Sequence, residues 1–104
     1  MPKGKMLVYT DSISPERDAE FNAWYDSVHV PDVLKIDGII GCTRFKVADS
    51  PAADTPGKYL AIYDVEADDF NDILDALVTA FTDGSLPTND CLVPGPIIFL
   101  QPAT

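Results

Sequence analysis

"FNAWYDSVHVPDVLKIDGIIGCTRFKV", residues 21–47, carries the chain's one tryptophan and one histidine and passes from a helical pattern directly into a strand pattern. Phe21, Trp24, Tyr25 and Val28 recur at i, i+3, i+4 and i+7, the spacing of one apolar helical stripe. On the wheel, Phe21, Trp24 and Val28 cluster as the buried set, and Asn22, Tyr25, Asp26 and His29 border it. Pro31 opposes helical geometry at the residue before it, so the helix is expected to break at His29, with "PDVLKI" opening a short second turn. Asp37-Gly38 marks a turn, and "IIGCTRFKVAD" (39–49) reads as a strand with Gly41 as the place for a bend or bulge.

Upstream, "KMLVYTDSI" (5–13) is a first strand with Leu7, Tyr9 and Asp11 on one face and Met6, Val8 and Thr10 on the other. "SPERDAEF" starts the helix: Ser14 suits the cap, Pro15 the first helical position, and Glu16 the positive end of the dipole. Downstream, "SPAADTPG" (50–57) is a polar loop. "KYLAIYDVEA" alternates Tyr59, Ala61, Tyr63 and Val65 against Leu60, Ile62 and Asp64, so the second and third strands form a hairpin. Asp68 and Asp69 offer caps to a second helix, whose stripe of Phe70, Ile73, Leu74, Leu77 and Phe81 ends at Gly84. Residues 83–96, with three prolines and two glycines, are expected to be irregular, followed by a short fourth strand, "IIFLQ". The order β-α-β-β-α-β predicts an α+β, ferredoxin-like arrangement, a four-stranded antiparallel sheet with two helices on one face, formed by one domain spanning 1–104.

Seventeen acidic against seven basic residues give a net charge of -10, which repels phosphate backbones and anionic headgroups, so neither nucleic acid nor a membrane is an expected partner. The acidity reads as a solvated surface or, alternatively, as attraction for a cationic substrate. Cys42 and Cys91 lack metal-site or redox-motif spacing and read as buried thiols of a reducing compartment. "MPKGKMLVYTD" reaches a charge too early for a signal-peptide core, and no stretch approaches the roughly 18 apolar residues of a membrane span, so a cytoplasmic location is expected. A sheet with helices on one face only leaves the other to be covered, and apolar positions such as Val8 and Ala61 point to a homodimer.

A histidine beside a tyrosine hydroxyl and a carboxylate has partners that fix its tautomer and tune its pKa, which general acid or base work requires. Spacing alone leaves open the other role, in which His29 caps a helix end and Trp24 and Tyr25 are ordinary core. One histidine without a cysteine cluster makes a poor metal site. Tyr9 with Asp11, Arg44, and Tyr59 with Tyr63 each occupy one strand face and are candidates to line a pocket; which faces turn inward is not readable from alternation. For Tyr59 and Tyr63 the alternative is stacking between subunits, and for Arg44 an exposed or interfacial ion pair. No dinucleotide, phosphate-loop or nucleophile-elbow motif occurs, so no cofactor is expected.

The stretch 21–47 together with "KYLAIYDVEADD" resembles the dimeric α/β-barrel superfamily, in particular small EthD-like proteins in which a helix carries an aromatic pair, then His, then Pro. The resemblance covers residues 5 to about 81, and Asp37-Gly38 replaces the family's "PG"-like turn. It implies two ferredoxin-like subunits packed sheet to sheet, a pocket between helices and sheet in each, the motif histidine at His29 and its aromatics at Trp24 and Tyr25. Three functions follow as expectations. The first is a cofactor-independent isomerase, cyclase or lyase acting on an apolar carbonyl or aromatic compound. In it His29 is the acid or base, Tyr25 or Asp26 orients it, and Arg44 or a tyrosine stabilises an enolate. The second is a non-catalytic dimer that binds an apolar metabolite. The third is a haem-handling protein, which rests on the superfamily alone.

Overall fold

The computed structural model describes residues 2–48 and 54–104. Strands β1 (Lys3–Ser12), β2 (Ile39–Lys46), β3 (Tyr59–Glu66) and β4 (Leu92–Leu100) form one sheet in the order β2-β3-β1-β4. All three pairings are antiparallel. The first crossover therefore skips over β3, and the second passes over β1, the split βαβ arrangement that the element order predicts. This is an α+β, ferredoxin-like fold.

The face of the sheet turned to the helices carries Met6, Thr10, Ala61, Tyr63 and Val65, all buried. Met6 pairs with Tyr63, Val8 with Ala61 and Thr10 with Tyr59, so Val8 and Ala61 belong to this inner face. The outer face holds Leu7, Leu60 and Ile62, half-buried, with Phe45, Ile98 and Leu100 exposed. The case for an apolar second face therefore passes from Val8 and Ala61 to these residues.

Between β1 and β2 the chain forms a short 3-10 turn (Pro15–Arg17), helix α1 (Asp18–Trp24), a π-helical segment (Tyr25–His29) and helix α2 (Val30–Val33). The helical path does not break at Pro31. The Val30 amide bonds back five residues to the Tyr25 carbonyl, and this wider turn shifts the backbone ahead of the proline that a regular helix would clash with. The same turn changes which residues are buried. Phe21, Tyr25, His29 and Val33 lie inside at steps of four, longer than the 3.6 of a regular helix, and Val28 is left 40% exposed. Tyr25 and His29 are thus core residues rather than a flank.

Ser14 makes no side-chain cap; the helix entrance is held instead by Ser12, whose hydroxyl bonds the Ser14 carbonyl and the Asp18 carboxylate. Lys58 reaches Asp18 at 2.8 Å and Arg17 bonds Glu20 and Asp90, tying this corner to β3 and to the approach to β4. The turn before β2 requires Gly38, at φ 92° with no room for a Cβ against the Glu66 carbonyl. The β2 register shifts between Ile39 and Gly41, a bulge at the expected glycine. Helix α3 (Phe70–Asp83) is capped by Asp69, which accepts from the Asn71 amide, and ends at Gly84 in the left-handed conformation. Ile73 and Leu77 bury themselves, and Phe81 is 42% exposed.

β4 starts earlier than expected. "LVPGP" joins the strand in spite of two prolines because β4 is an edge, paired only with β1, where a residue without an N–H removes no second ladder. Between Val8↔Ile97 and Thr10↔Pro94 the register shifts by one residue, which absorbs Gly95 and Pro96. The expected polar loop 50–57 lies partly outside the described residues.

Candidate functional site

The π-helical segment lays Tyr25 over the β2–β3 side of the sheet, near Cys42 and Arg44 of β2 and Tyr63 of β3, with His29 against the Tyr25 ring. Cys42 pairs with Tyr63 and Arg44 with Ala61, which turns both toward the helices. The Phe21 ring lies 5.5 Å from Tyr25 and 5.3 Å from Tyr59, making the apolar floor. His29 stacks on Trp24 with centroids 4.9 Å apart, meets Tyr25 edge-on at 4.7 Å and faces Phe81 at 6.5 Å. The imidazole is therefore enclosed by aromatic rings.

Arg44 is the cation of the group, with its side chain only 14% exposed. Its Cζ sits 4.1 Å from the Tyr25 ring centroid, Nη1 donates to Asp26 and Nη2 to Asn22, each at 2.9 Å. Asp26, 66% exposed, is thus committed to Arg44 and not to His29. Outside Arg44 lies a cleft of about 220 Å³ lined by Asn22, Asp26, Lys46 and Tyr59 among others.

Behind Arg44, polar atoms are buried without a hydrogen-bond partner among the described residues: Tyr25 Oη, Tyr63 Oη, His29 Nδ1 and Arg44 Nε. The two hydroxyls and the Cys42 thiol are near enough to influence each other's ionisation, yet neither hydroxyl forms a bond of acceptable geometry. A buried polar atom left unpaired costs on the order of 1–3 kcal/mol, so such a concentration in an otherwise apolar core is expensive to keep. Burial pushes the His29 imidazole down to about 4, with Asp32 partly opposing and Arg44 adding to the shift. Burial also raises the phenols of Tyr25 and Tyr63 and the thiol of Cys42. At neutral pH these groups are all uncharged, and Arg44 supplies the only charge among them.

Of the residues singled out from sequence, Trp24, Tyr25, His29, Arg44, Tyr59 and Tyr63 come together. His29 lies within a helical path that continues to Val33 and makes no side-chain bond to a carbonyl among the described residues, so the helix-cap role does not apply. Tyr9 and Asp11 lie on the outer face, paired with Leu60 and Val93. Asp11 there borders a separate polar pocket with Val47 and Lys58. Asn22, Cys42 and Phe81 join the cluster without having been singled out for it. Cys42 shares strand parity with Arg44, and Phe81 ends the α3 stripe, which are the signals that reach them. A larger cavity, about 570 Å³, lies apart from this cluster at one end of the sheet, bordered by Lys5, Ile40, Asp64 and Leu100. No group of three or more potential metal-ligating side chains occurs among the described residues.

The whole arrangement is similar to the crystal structure of an ethyl tert-butyl ether D (EthD) family protein from Bacillus halodurans. The TM-score is 0.55 at 17% identity, over 94% of this chain and 97% of that one. The fold is EthD-like. No family profile matches the sequence, and no curated protein does. Within the EthD-like fold, the inner sheet face and the first helical crossover enclose the aromatic and polar cluster of Tyr25, His29, Arg44 and Tyr63.

Proposed function

We propose that this chain is a cofactor-independent enzyme acting by proton transfer on a small apolar carbonyl or aromatic compound, of isomerase, cyclase or lyase type, at the Tyr25, His29, Arg44 and Tyr63 cluster. The observation that carries the reading is the joint burial of unpartnered polar atoms on these residues within an aromatic shell. His29 is the acid or base. With a pKa of about 4 it is neutral and weakly basic in the free protein. An enolate forming beside it reverses that balance, because a nearby anion favours the imidazolium. Arg44 and the tyrosine hydroxyls are donors suited to the enolate oxygen in a site shielded from water. Tyr25, in edge contact with the ring, orients it.

The same low pKa favours a second reading, in which His29 only hydrogen-bonds an apolar metabolite that the protein carries without turnover. Native mass spectrometry of the purified protein identifies the bound compound. Turnover of that compound by the wild type and its loss in His29→Gln supports catalysis, tight binding without turnover supports the carrier, and wild-type turnover by His29→Gln removes His29 from the chemistry.

The protein acts as a homodimer in this proposal, the apolar outer sheet face with Leu7, Leu60, Ile62 and Ile98 covered by a second copy. Light scattering tests it, and a stable monomer at micromolar concentration would overturn it. No helix among the described residues is long and apolar enough to cross a membrane. The free thiols of Cys42 and Cys91 fit a reducing, cytoplasmic setting.

A further inference from the structure

We propose that Arg44 anchors the ligand through a carboxylate, and that Asp26 occupies that ligand position in the unliganded protein. The inference rests on the pocket reading above and adds the charge of the ligand to it.

Among the unpartnered buried atoms, Arg44 Nε is a donor only, the hydroxyls of Tyr25 and Tyr63 donate or accept, and His29 Nδ1 does one or the other according to its tautomer. A ligand that pairs the guanidinium supplies an acceptor. An ammonium has none to offer it and would set a second cation beside Arg44.

Arg44 forms part of the wall of the 220 Å³ cleft, while its guanidinium covers the buried Tyr25 ring on its other side. A ligand entering by the cleft, which Tyr59 also lines, meets the guanidinium before it meets Tyr25. Lys46 adds a second cation to the cleft lining, and Asp26 is the single carboxylate there. The local balance is thus positive in a chain whose net charge is -10.

Asp26 is mostly in water and bonds Arg44 through one oxygen, so releasing it restores a hydrated carboxylate at little cost. A ligand carboxylate in its place keeps the guanidinium paired and brings an apolar body against the aromatic wall. Asp26 then acts as an internal competitor, which gives the two variants opposite signs.

The test uses three probes of one skeleton, benzoate, benzamide and benzylamine, titrated by calorimetry into the wild type, Arg44→Gln and Asp26→Asn, with folding checked by circular dichroism. The wild type is expected to bind benzoate more tightly than benzamide and benzylamine least. Arg44→Gln should weaken benzoate by about tenfold or more, the effect of losing a hydrogen bond to a charged group. Asp26→Asn should tighten it about two- to fivefold, the scale of a surface ion pair. Equal binding of benzoate and benzamide in wild type and Arg44→Gln would leave the pocket standing and overturn the anion anchor. A weaker benzoate complex in the folded Asp26→Asn protein would overturn the competitor role. Preference for benzylamine would overturn the proposal, and binding of none of the three below about 10 mM would overturn the pocket reading with it.

Discussion

The guanidinium carbon of Arg44 lies 4.1 Å from the centre of the Tyr25 ring, close enough for a cation–π contact in a site from which water is largely excluded. Arg44→Met keeps the length and apolar stem and removes this contact together with the bonds to Asp26 and Asn22. Because the Asp26 pair faces water, the expected cost is only about 1–2 kcal/mol in urea denaturation. Unchanged stability would mean that the guanidinium does not sit over the ring in solution.

His29 makes stability depend on pH in a definite direction. Its folded pKa of about 4 lies below its ordinary 6.5, so the unfolded chain binds the proton more readily than the folded one. The contribution is therefore complete above pH 6.5 and is lost as the pH falls from there toward 4, by about 3 kcal/mol at most. The measurement is the difference in unfolding free energy between wild type and His29→Gln across that window. The wild type should lose more stability on acidification than the variant, and parallel curves would show that the imidazole is solvated.

The strands could be read because a half-buried sheet imposes alternation, and β3 in particular carries Tyr59, Ala61, Tyr63 and Val65 inward without interruption. Which of the two sets faced the helices could not be read, since alternation has no sign until a neighbouring strand fixes the register. Tyr9 and Asp11 therefore looked as eligible as Tyr59 and Tyr63. The placement of Arg44 depends in addition on the bulge between Ile39 and Gly41, which changes the parity of the rest of β2. The helical wheel places Val28 in the core because it assumes 3.6 residues per turn, an assumption that the π-helical segment breaks. That departure falls at Tyr25 and His29, where local regularity gives way to the placement of polar groups.

Gly38 tests the geometry that launches β2. Its φ of 92° strains any L side chain, and a Cβ there would meet the Glu66 carbonyl at 3.0 Å and the Ile73 side chain at 3.2 Å. Gly38→Ala is expected to cost at least about 1–2 kcal/mol, since the left-handed conformation alone accounts for that much. Gly84→Ala shares the positive φ and has open space around it, so it should cost less. Equal losses in thermal denaturation would show that the close approach at Gly38 carries no energy.

Tyr25 and Tyr63 test whether their hydroxyls serve function rather than the fold. Each is 1% exposed and each Oη is unpartnered, so each hydroxyl bears a desolvation cost without a compensating bond. Replacing tyrosine by phenylalanine preserves the ring, its packing and, at position 25, the face under Arg44. Tyr63→Phe should therefore be neutral or stabilising by up to about 1 kcal/mol, where loss of a satisfied buried hydroxyl would destabilise by a similar amount. If the hydroxyls donate to a ligand oxygen, the same variant should bind benzoate more weakly while melting at the same temperature or higher. That opposition of sign, with stability gained as affinity falls, is the mark of a residue kept for its chemistry. A Tyr63→Phe protein that melts early would mean that the hydroxyl has a partner in solution and belongs to the core.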